Sequence, residues 1–359
     1  MHLSVMPPIA PMLAKRVDKV PEGEQWIFEP KWDGFRALVF RDGGEILIQS
    51  RDEKPLNRYF PELEKPLLLA LPSGCVLDGE IVIVRGDSLD FDALQLRLHP
   101  AASRVLKLSQ QTPASIVFFD LLCEGNRDRR GEPFEKRRRE LEKLLATVKP
   151  PIHLTPATRD LGLAQDWFRR FEGAGLDGVV AKPIDLGYEP GKRVMLKVKH
   201  ERDCDCVVGG FRWHRKDSEP AIGSLLLGLY DEQGVLQHVG VCASFPVAKR
   251  RELVKLLEPY RKNALTDHPW RNWSDEDGAR ASRMPGGESR WSQGKDLSWE
   301  PLRPALVAEV AYDHMQGSRF RHMAQFRRWR QEKPPKDCTF DQLETVAPEE
   351  LRKLFRSGR

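Results

Sequence analysis

The sequence predicts an α+β chain of two domains, a sheet-and-helix domain followed by a small closed β-barrel. Three observations carry this. A chain of 359 residues is too long for one small core. Its first 200 residues mix strand-like runs with amphipathic helices and lack the regular βα repeat of a doubly wound sheet. After His200 the pattern changes to short strand-like runs with one helix among them.

In chain order, Met1 to Leu13 is Pro-rich and is expected to cross the surface of the first domain. Residues 24–50 read as two or three strands, with Asp42-Gly43-Gly44 as a hairpin turn. Val76 to Val84 and Ile116 to Leu122 are further strands. Phe134, Leu141, Leu144, Leu145 and Val148 mark the apolar side of an amphipathic helix, with Lys136 to Arg139 read as its solvated face. Leu161 to Phe171 is a helix that stops at Gly173 and Gly175. Gly178 to Lys182 and Val194 to Lys199 are short strands. The domain boundary falls near Glu201 to Cys204, giving domains at 1–201 and 202–345 and a basic C-terminal tail at 346–359. In the second domain, Cys204 to Phe211, Leu225 to Tyr230, Leu236 to Ser244 and Ala305 to Tyr312 are strands. Pro246 to Tyr260 is the helix, facing inward through Leu253, Leu256, Leu257 and Tyr260. That set suits an oligonucleotide-binding (OB) type barrel. Thr266 to Trp299 is a long polar segment whose Trp270, Trp273, Trp291 and Trp299 are expected to pin it to the barrel.

Composition narrows the class. The chain is 40% hydrophobic and 31% charged, as expected of a folded soluble protein, and no apolar run reaches membrane-spanning length. Met1 to Leu13 lacks the charged-then-apolar pattern expected of a secretion signal. The six cysteines show no C-x-x-C pair, which argues against zinc and for buried thiols in a reducing cytosol. The net charge of +5 is modest, but Lys and Arg cluster at Arg127 to Arg139 and at Arg319 to Lys336. In the second cluster Arg327, Arg328 and Arg330 alternate with Phe326 and Trp329, which suits a phosphate-binding segment.

Six short segments carry the chemistry. Lys31-Trp32-Asp33-Gly34 sets a lysine in an otherwise strand-like, apolar stretch. Such a lysine either snorkels to solvent or, desolvated beside other cations, loses its proton more easily and attacks phosphorus or a carbonyl. Ser50-Arg51 follows the next strand. Asp78-Gly79-Glu80 brackets a glycine with two carboxylates. Phe118-Phe119-Asp120 ends a strand with aromatics. Asp177-Gly178-Val179-Val180-Ala181-Lys182 runs acid, turn, strand, base. Lys197 and Lys199 share one strand face. Taken singly, the Asp-Gly pairs are ordinary turns and the lysines ordinary surface residues.

In this order the segments resemble the covalent nucleotidyltransferase superfamily: ATP-dependent DNA ligases, RNA ligases and mRNA capping enzymes. The resemblance spans nearly the whole chain and is strongest to compact bacterial ATP-dependent DNA ligases of the short actinobacterial LigC type. Arg319-Phe320-Arg321-His322 and the run Phe326 to Lys333 look like that family's final motif. The resemblance implies an adenylation (nucleotidyltransferase) domain of antiparallel sheets and helices followed by an OB-fold domain. It implies ATP as the nucleotide, AMP carried covalently on Lys31, and Mg²⁺ (or Mn²⁺) held by Asp33, Glu80 and Asp177. Lys197 and Lys199 would neutralise the α-phosphate. Phe119 would stack on adenine, Glu29 would read its edge and Arg36 would hold the ribose. Lys182 would join the nucleotide pocket, and Arg51 would meet the phosphate end of a nick. Arg330 and Lys333 would align pyrophosphate as the barrel domain closes. Asp177 departs from the Glu that usually opens the family's fourth motif, shortening the side chain by roughly 1.5 Å.

The implied activity is sealing of nicks in duplex DNA during repair, by a cytoplasmic, nucleoid-associated monomer with no membrane contact. A gap-filling repair polymerase is the implied partner. An RNA capping guanylyltransferase or RNA ligase of the same superfamily is the alternative activity. A nucleic-acid-binding module with a decayed site is the non-catalytic one.

Overall fold

A computed structural model describes residues 1–214, 219–271, 298–343 and 351. The chain forms two compact units, residues 1–199 with 346–359, and residues 200–345. Trp273, Trp291 and, apart from Leu351, the expected basic tail lie outside the described residues. Leu351 is buried in the first unit's core.

The first unit contains strands β1 (Leu13–Val17), β2 (Trp26–Pro30), β3 (Phe35–Asp42), β4 (Glu45–Ser50), β5 (Cys75–Arg85), β6 (Ser88–Leu89), β7 (Ala114–Glu124), β8 (Arg127–Asp128), β9 (Ile152–Leu154), β10 (Val179–Pro183) and β11 (Arg193–Val198). Its helices are α1 (Pro61–Ala70), α2 (Phe91–Leu96), α3 (Ala102–Gln111), α4 (Phe134–Leu144) and α5 (Leu161–Arg170). One sheet runs β1-β11-β10-β2. The other runs β4-β3-β5-β7-β8, with β6 beside β5 and β9 beside β7. β3 and β4 pair through Asp42 and Glu45, leaving Gly43-Gly44 as the two-residue turn.

Side-chain alternation on β3 splits its apolar run between two cores. Ala37 and Val39 pack with Ile48, Leu77 and Phe60, whereas Leu38 and Phe40 pack with Val76 and Leu122. The second core corrects the expectation for the start of the chain. Leu3, Val5, Ile9 and Met12 are buried in it and do not merely cross the surface. The Gln49 amide fixes this segment, accepting from the Ile9 N–H (3.0 Å) and donating to the Ile9 carbonyl (2.6 Å).

Helix α4 corrects a second expectation. Arg137 and Arg138 are buried, not solvated. Their positions fall on the same helical stripe as Phe134 and Leu141, so the 3.6-residue period placed them inward. Acidic partners waiting there make burial tolerable: Asp120 for Arg137 and Glu29 for Arg138.

The second unit contains β12 (Arg202–Trp213), β13 (Ile222–Tyr230), β14 (Leu236–Cys242), β15 (Glu300–Tyr312), β16 (Met315–Gln316), β17 (Arg319–Phe320) and β18 (Gln325–Trp329), with helix α6 (Val247–Arg261). Its main sheet runs β14-β13-β12-β15-β18, with antiparallel neighbours throughout. A parallel bridge between Cys242 and Ala324 brings the end of β14 against the start of β18 and closes the sheet on itself. The barrel core includes Leu225, Leu227, Val207 and Val310, with Leu253 and Leu257 of α6 packed into it. Trp270 pins the start of the polar segment, donating from Nε1 to the Leu236 carbonyl at 2.7 Å. All six cysteines are free and buried.

Candidate active site

The site is built where β2 ends. The backbone runs on past Pro30 as if still paired: the Lys31 N–H donates to the Gly178 carbonyl (2.8 Å), and the Asp177 N–H to the Lys31 carbonyl (2.9 Å). This places the first and fifth of the six segments side by side. Both glycines are required by close approach. A Cβ on Gly34 would overlap the Ile81 carbonyl oxygen. One on Gly178, whose φ is +129°, would overlap the Val198 carbonyl oxygen. Neither Asp-Gly pair is a plain hairpin turn, and Gly79 lies inside β5.

Three lysines and one carboxylate meet here. Lys31 Nζ donates to Asp177 Oδ2, and Lys199 Nζ lies 2.7 Å from the same oxygen. Lys197, facing Val180 across the β10–β11 pairing, completes the cluster. Burial first, and then the charges of Lys31 and Lys199, lower the Lys197 pKa to about 8. Such a cluster suits an anionic phosphate that replaces the single acid now serving two ammonium groups.

Glu80 and Arg36 face each other in the β3–β5 register. Burial pushes the Glu80 carboxyl up to about 7, against the pull of the Arg36 and Lys31 charges. Arg36 is locked to Asp78 by two bonds of 2.6 and 2.5 Å, and the Tyr188 hydroxyl donates to the same carboxylate at 2.6 Å. Asp78 and Tyr188 escaped the sequence expectations as site residues. Asp78 lies in the third of the six segments, but nothing in the sequence links Tyr188 to it. The Phe119 ring is flanked by the Arg36 guanidinium at 4.5 Å and by Lys182 Nζ at 4.8 Å. Phe118, its neighbour, is core.

Glu29 and Lys182 form a buried ion pair of 2.7 Å, and Lys182 also donates to the Phe119 carbonyl at 3.1 Å. Arg138 reaches the other Glu29 oxygen at 3.1 Å. Sequence reasoning missed it because its charge spoke for solvent and only its helical position spoke for the interior.

The expected metal ligands are not gathered. Among the described residues no three acidic, histidine or cysteine side chains converge on a metal position, so Asp33, Glu80 and Asp177 do not form a cage. Asp177 is engaged by Lys31 and Lys199 instead. One or two of these carboxylates with phosphate oxygens and water still suit Mg²⁺, which seldom needs an all-protein cage. Arg51 stands exposed in the turn after β4.

In the second unit, Arg330 Nη1 contacts Asp205 (3.0 Å) and Glu309 (3.0 Å), its Nε contacts Glu332 (2.6 Å), and Lys333 lies 3.9 Å from Asp205. Arg328 pairs with Glu309 at 2.8 Å, and Arg327 pairs with Glu201. The segment expected to bind phosphate therefore includes strand β18 and the turn that follows it, and its basic residues meet acids from β12 and β15. The Arg127 to Arg139 cluster is likewise interleaved with acids: Arg127 and Arg129 with Glu132, Arg130 with Asp128, Arg139 with Glu135.

The chain matches the ATP dependent DNA ligase domain over residues 11–199 and the ATP dependent DNA ligase C terminal region over residues 218–333. It is 55% identical to DNA ligase C2 of Mycolicibacterium smegmatis over 347 residues, covering 96% of this chain and 97% of that protein. It is 52% identical to DNA ligase C of Mycobacterium tuberculosis over 348 residues, covering 96% of each. A solved Lig E DNA ligase shares its fold with a TM-score of 0.56 at 15% identity, over 89% of this chain and 99% of that one.

Proposed function

The chain belongs to the ATP-dependent DNA ligase family, and we propose that it seals nicks in duplex DNA through AMP carried on Lys31. The observation that carries this is the Lys31–Lys197–Lys199 cluster around one displaceable carboxylate. In the first step the unprotonated Lys31 amine attacks the α-phosphorus of ATP. A P–N bond forms, and pyrophosphate leaves. Lys197 and Lys199 stabilise the charge on the transferring phosphate. In the second step AMP passes to the 5′-phosphate of the nick, which Arg51 is proposed to meet. In the third the 3′-hydroxyl attacks that phosphate and AMP leaves. Mg²⁺ or Mn²⁺, held through Glu80, Asp33 or Asp177, would supply further charge neutralisation on the phosphates.

Phe119 offers its ring to the adenine, Glu29 and Lys182 meet the edge of the base, and Arg36 serves the ribose. Arg330 and Lys333 are proposed to align pyrophosphate, exchanging the acids of their own unit for phosphate oxygens. A role in bacterial DNA repair, a gap-filling polymerase as partner, a monomeric state and a nucleoid location belong to the same proposal. No described helix is long and apolar enough to cross a membrane.

Intact mass after incubation with ATP and Mg²⁺ tests the reading. One added AMP is expected, and none in Lys31→Ala. An adduct with GTP alone would move the chain to the capping enzymes, and sealing of RNA but not DNA nicks would make it an RNA ligase. No adduct under any condition would leave only a binding module.

A further inference from the structure

Glu29 is the penultimate residue of β2 and is almost completely buried (2% exposed). Each oxygen faces its own cation: Oε2 meets Lys182 Nζ at 2.7 Å, and Oε1 meets Arg138 Nη1 at 3.1 Å. Lys182 has a place in the reading above, but Arg138 does not. Its guanidinium is tied at two further atoms. Nη2 donates to the Thr155 carbonyl (2.7 Å), and Nε donates to Glu142 Oε1 (2.7 Å). Thr155 is itself held, because its hydroxyl accepts from Trp32 Nε1 at 2.8 Å, one residue from Lys31. A planar guanidinium gripped at three atoms has no rotational freedom left, unlike the ammonium of Lys182.

We propose that Arg138 is a positioning residue that sets base selectivity, fixing the Glu29 carboxylate as an acceptor for the 6-amino group of the incoming purine nucleotide. The inference rests on the reading of Glu29 as the group that meets the adenine edge. A carboxylate between two cations accepts hydrogen bonds and donates none. Adenine presents a donor at C6. Guanine presents an acceptor there and is repelled, and unsubstituted purine leaves the carboxylate unmatched. Lys182 ties Glu29 to the carbonyl of Phe119, whose ring lies 4.8 Å from the same ammonium, so a base stacked on Phe119 brings its edge toward Glu29. Without Arg138 the second oxygen loses its anchor, the carboxylate is free to rotate about its remaining contact with Lys182, and the preference for a 6-amino group weakens.

The test measures kcat/KM for the nucleotidyl adduct on the full chain, by intact mass, with ATP, purine riboside triphosphate and GTP. Loss of the charge-assisted hydrogen bond that fixes Glu29 is expected to make Arg138→Met lower the ratio of ATP to purine riboside triphosphate about tenfold or more. Arg138→Lys restores part of the ratio, since an ammonium reaches Glu29 but cannot also fork to Thr155. Glu142→Gln, which loosens the outer anchor, shifts the ratio less and in the same direction. An unchanged ratio in Arg138→Met overturns the proposal even if the overall rate falls. Should that variant not fold, unchanged ratios in both Arg138→Lys and Glu142→Gln overturn it. A wild-type ratio near one, or one that Glu29→Gln leaves intact, overturns the reading of Glu29 and this proposal with it. A ratio lowered by Glu29→Gln but not by the Arg138 variants removes Arg138 alone.

Discussion

Arg137→Met should be among the most damaging single substitutions in the first unit. Arg137 is fully buried, and its partner Asp120 is 1% exposed. Two bonds join them, at 2.8 and 3.0 Å, and Arg137 Nη1 also donates to the Glu132 and Leu186 carbonyls. Methionine fills most of the volume but strands a buried carboxylate. Removing one partner of such a pair costs about 3–5 kcal/mol. Asp120 keeps the Leu121 N–H (2.9 Å) and the charge of Lys182, so about 3 kcal/mol is expected. Asp120→Asn/Arg137→Met removes the stranded charge and should recover at least half of that loss; the two carbonyls remain short of a donor. Burial raises the Asp120 pKa, but Arg137 and then Lys182 outweigh it and hold the carboxyl below its usual range. A depressed carboxylate stabilises the fold above its unfolded pKa and loses that contribution as pH falls through the folded one. The single-variant penalty should therefore shrink toward acid pH. Urea denaturation followed by far-UV circular dichroism, at neutral and acid pH, measures all three quantities. A loss under 1 kcal/mol, or a double variant no better than the single, refutes the stranded-charge reasoning.

At the candidate active site, two substitutions probe close packing and burial. Gly34→Ala drives a methyl into the Ile81 carbonyl oxygen, forces β3 away from β5, and should cost at least the 1–3 kcal/mol typical of overpacking, with loss of adduct formation. Gly44→Ala, where nothing lies within 4 Å, should leave the melting temperature nearly unchanged; equal effects at the two glycines would contradict the close-approach argument. Glu80→Gln should change stability with pH: a folded pKa of about 7, above the ordinary 4.5, means the wild type loses stability as pH rises through that window. The variant should gain relative to wild type by up to about 3 kcal/mol between pH 5 and pH 8, and a pH-independent difference between their denaturation curves would show that Glu80 is not raised.

Much of the fold was legible from periodicity. The β3–β4 hairpin, the strands expected at Val76 to Val84 and Ile116 to Leu122 and the barrel strands β12 to β14 follow from short apolar runs, and the helix expected at Leu161 to Phe171 from its 3.6-residue period. β1 was not legible. Its five residues do not alternate cleanly, and it is a strand because β11 pairs with it in parallel, 180 residues later in register (Leu13 with Arg193). β18 was also hidden, since its exposed arginines broke the apolar pattern.

The sequence by itself determined which chemical groups are present and in what order: a lysine beside Asp-Gly, carboxylates around glycines, paired lysines on one strand, and an arginine-rich segment near the end. Those are local facts, written in residue type and spacing. Only the tertiary structure decided which charges face one another. It put Asp177 between Lys31 and Lys199, Asp78 on Arg36, Asp120 on Arg137 and Arg138 on Glu29. The reason is physical: a charge remains in the interior only when an opposite one arrives from elsewhere in the chain. The free energy that separates a solvated arginine from a buried one therefore resides in a partner that no local window contains.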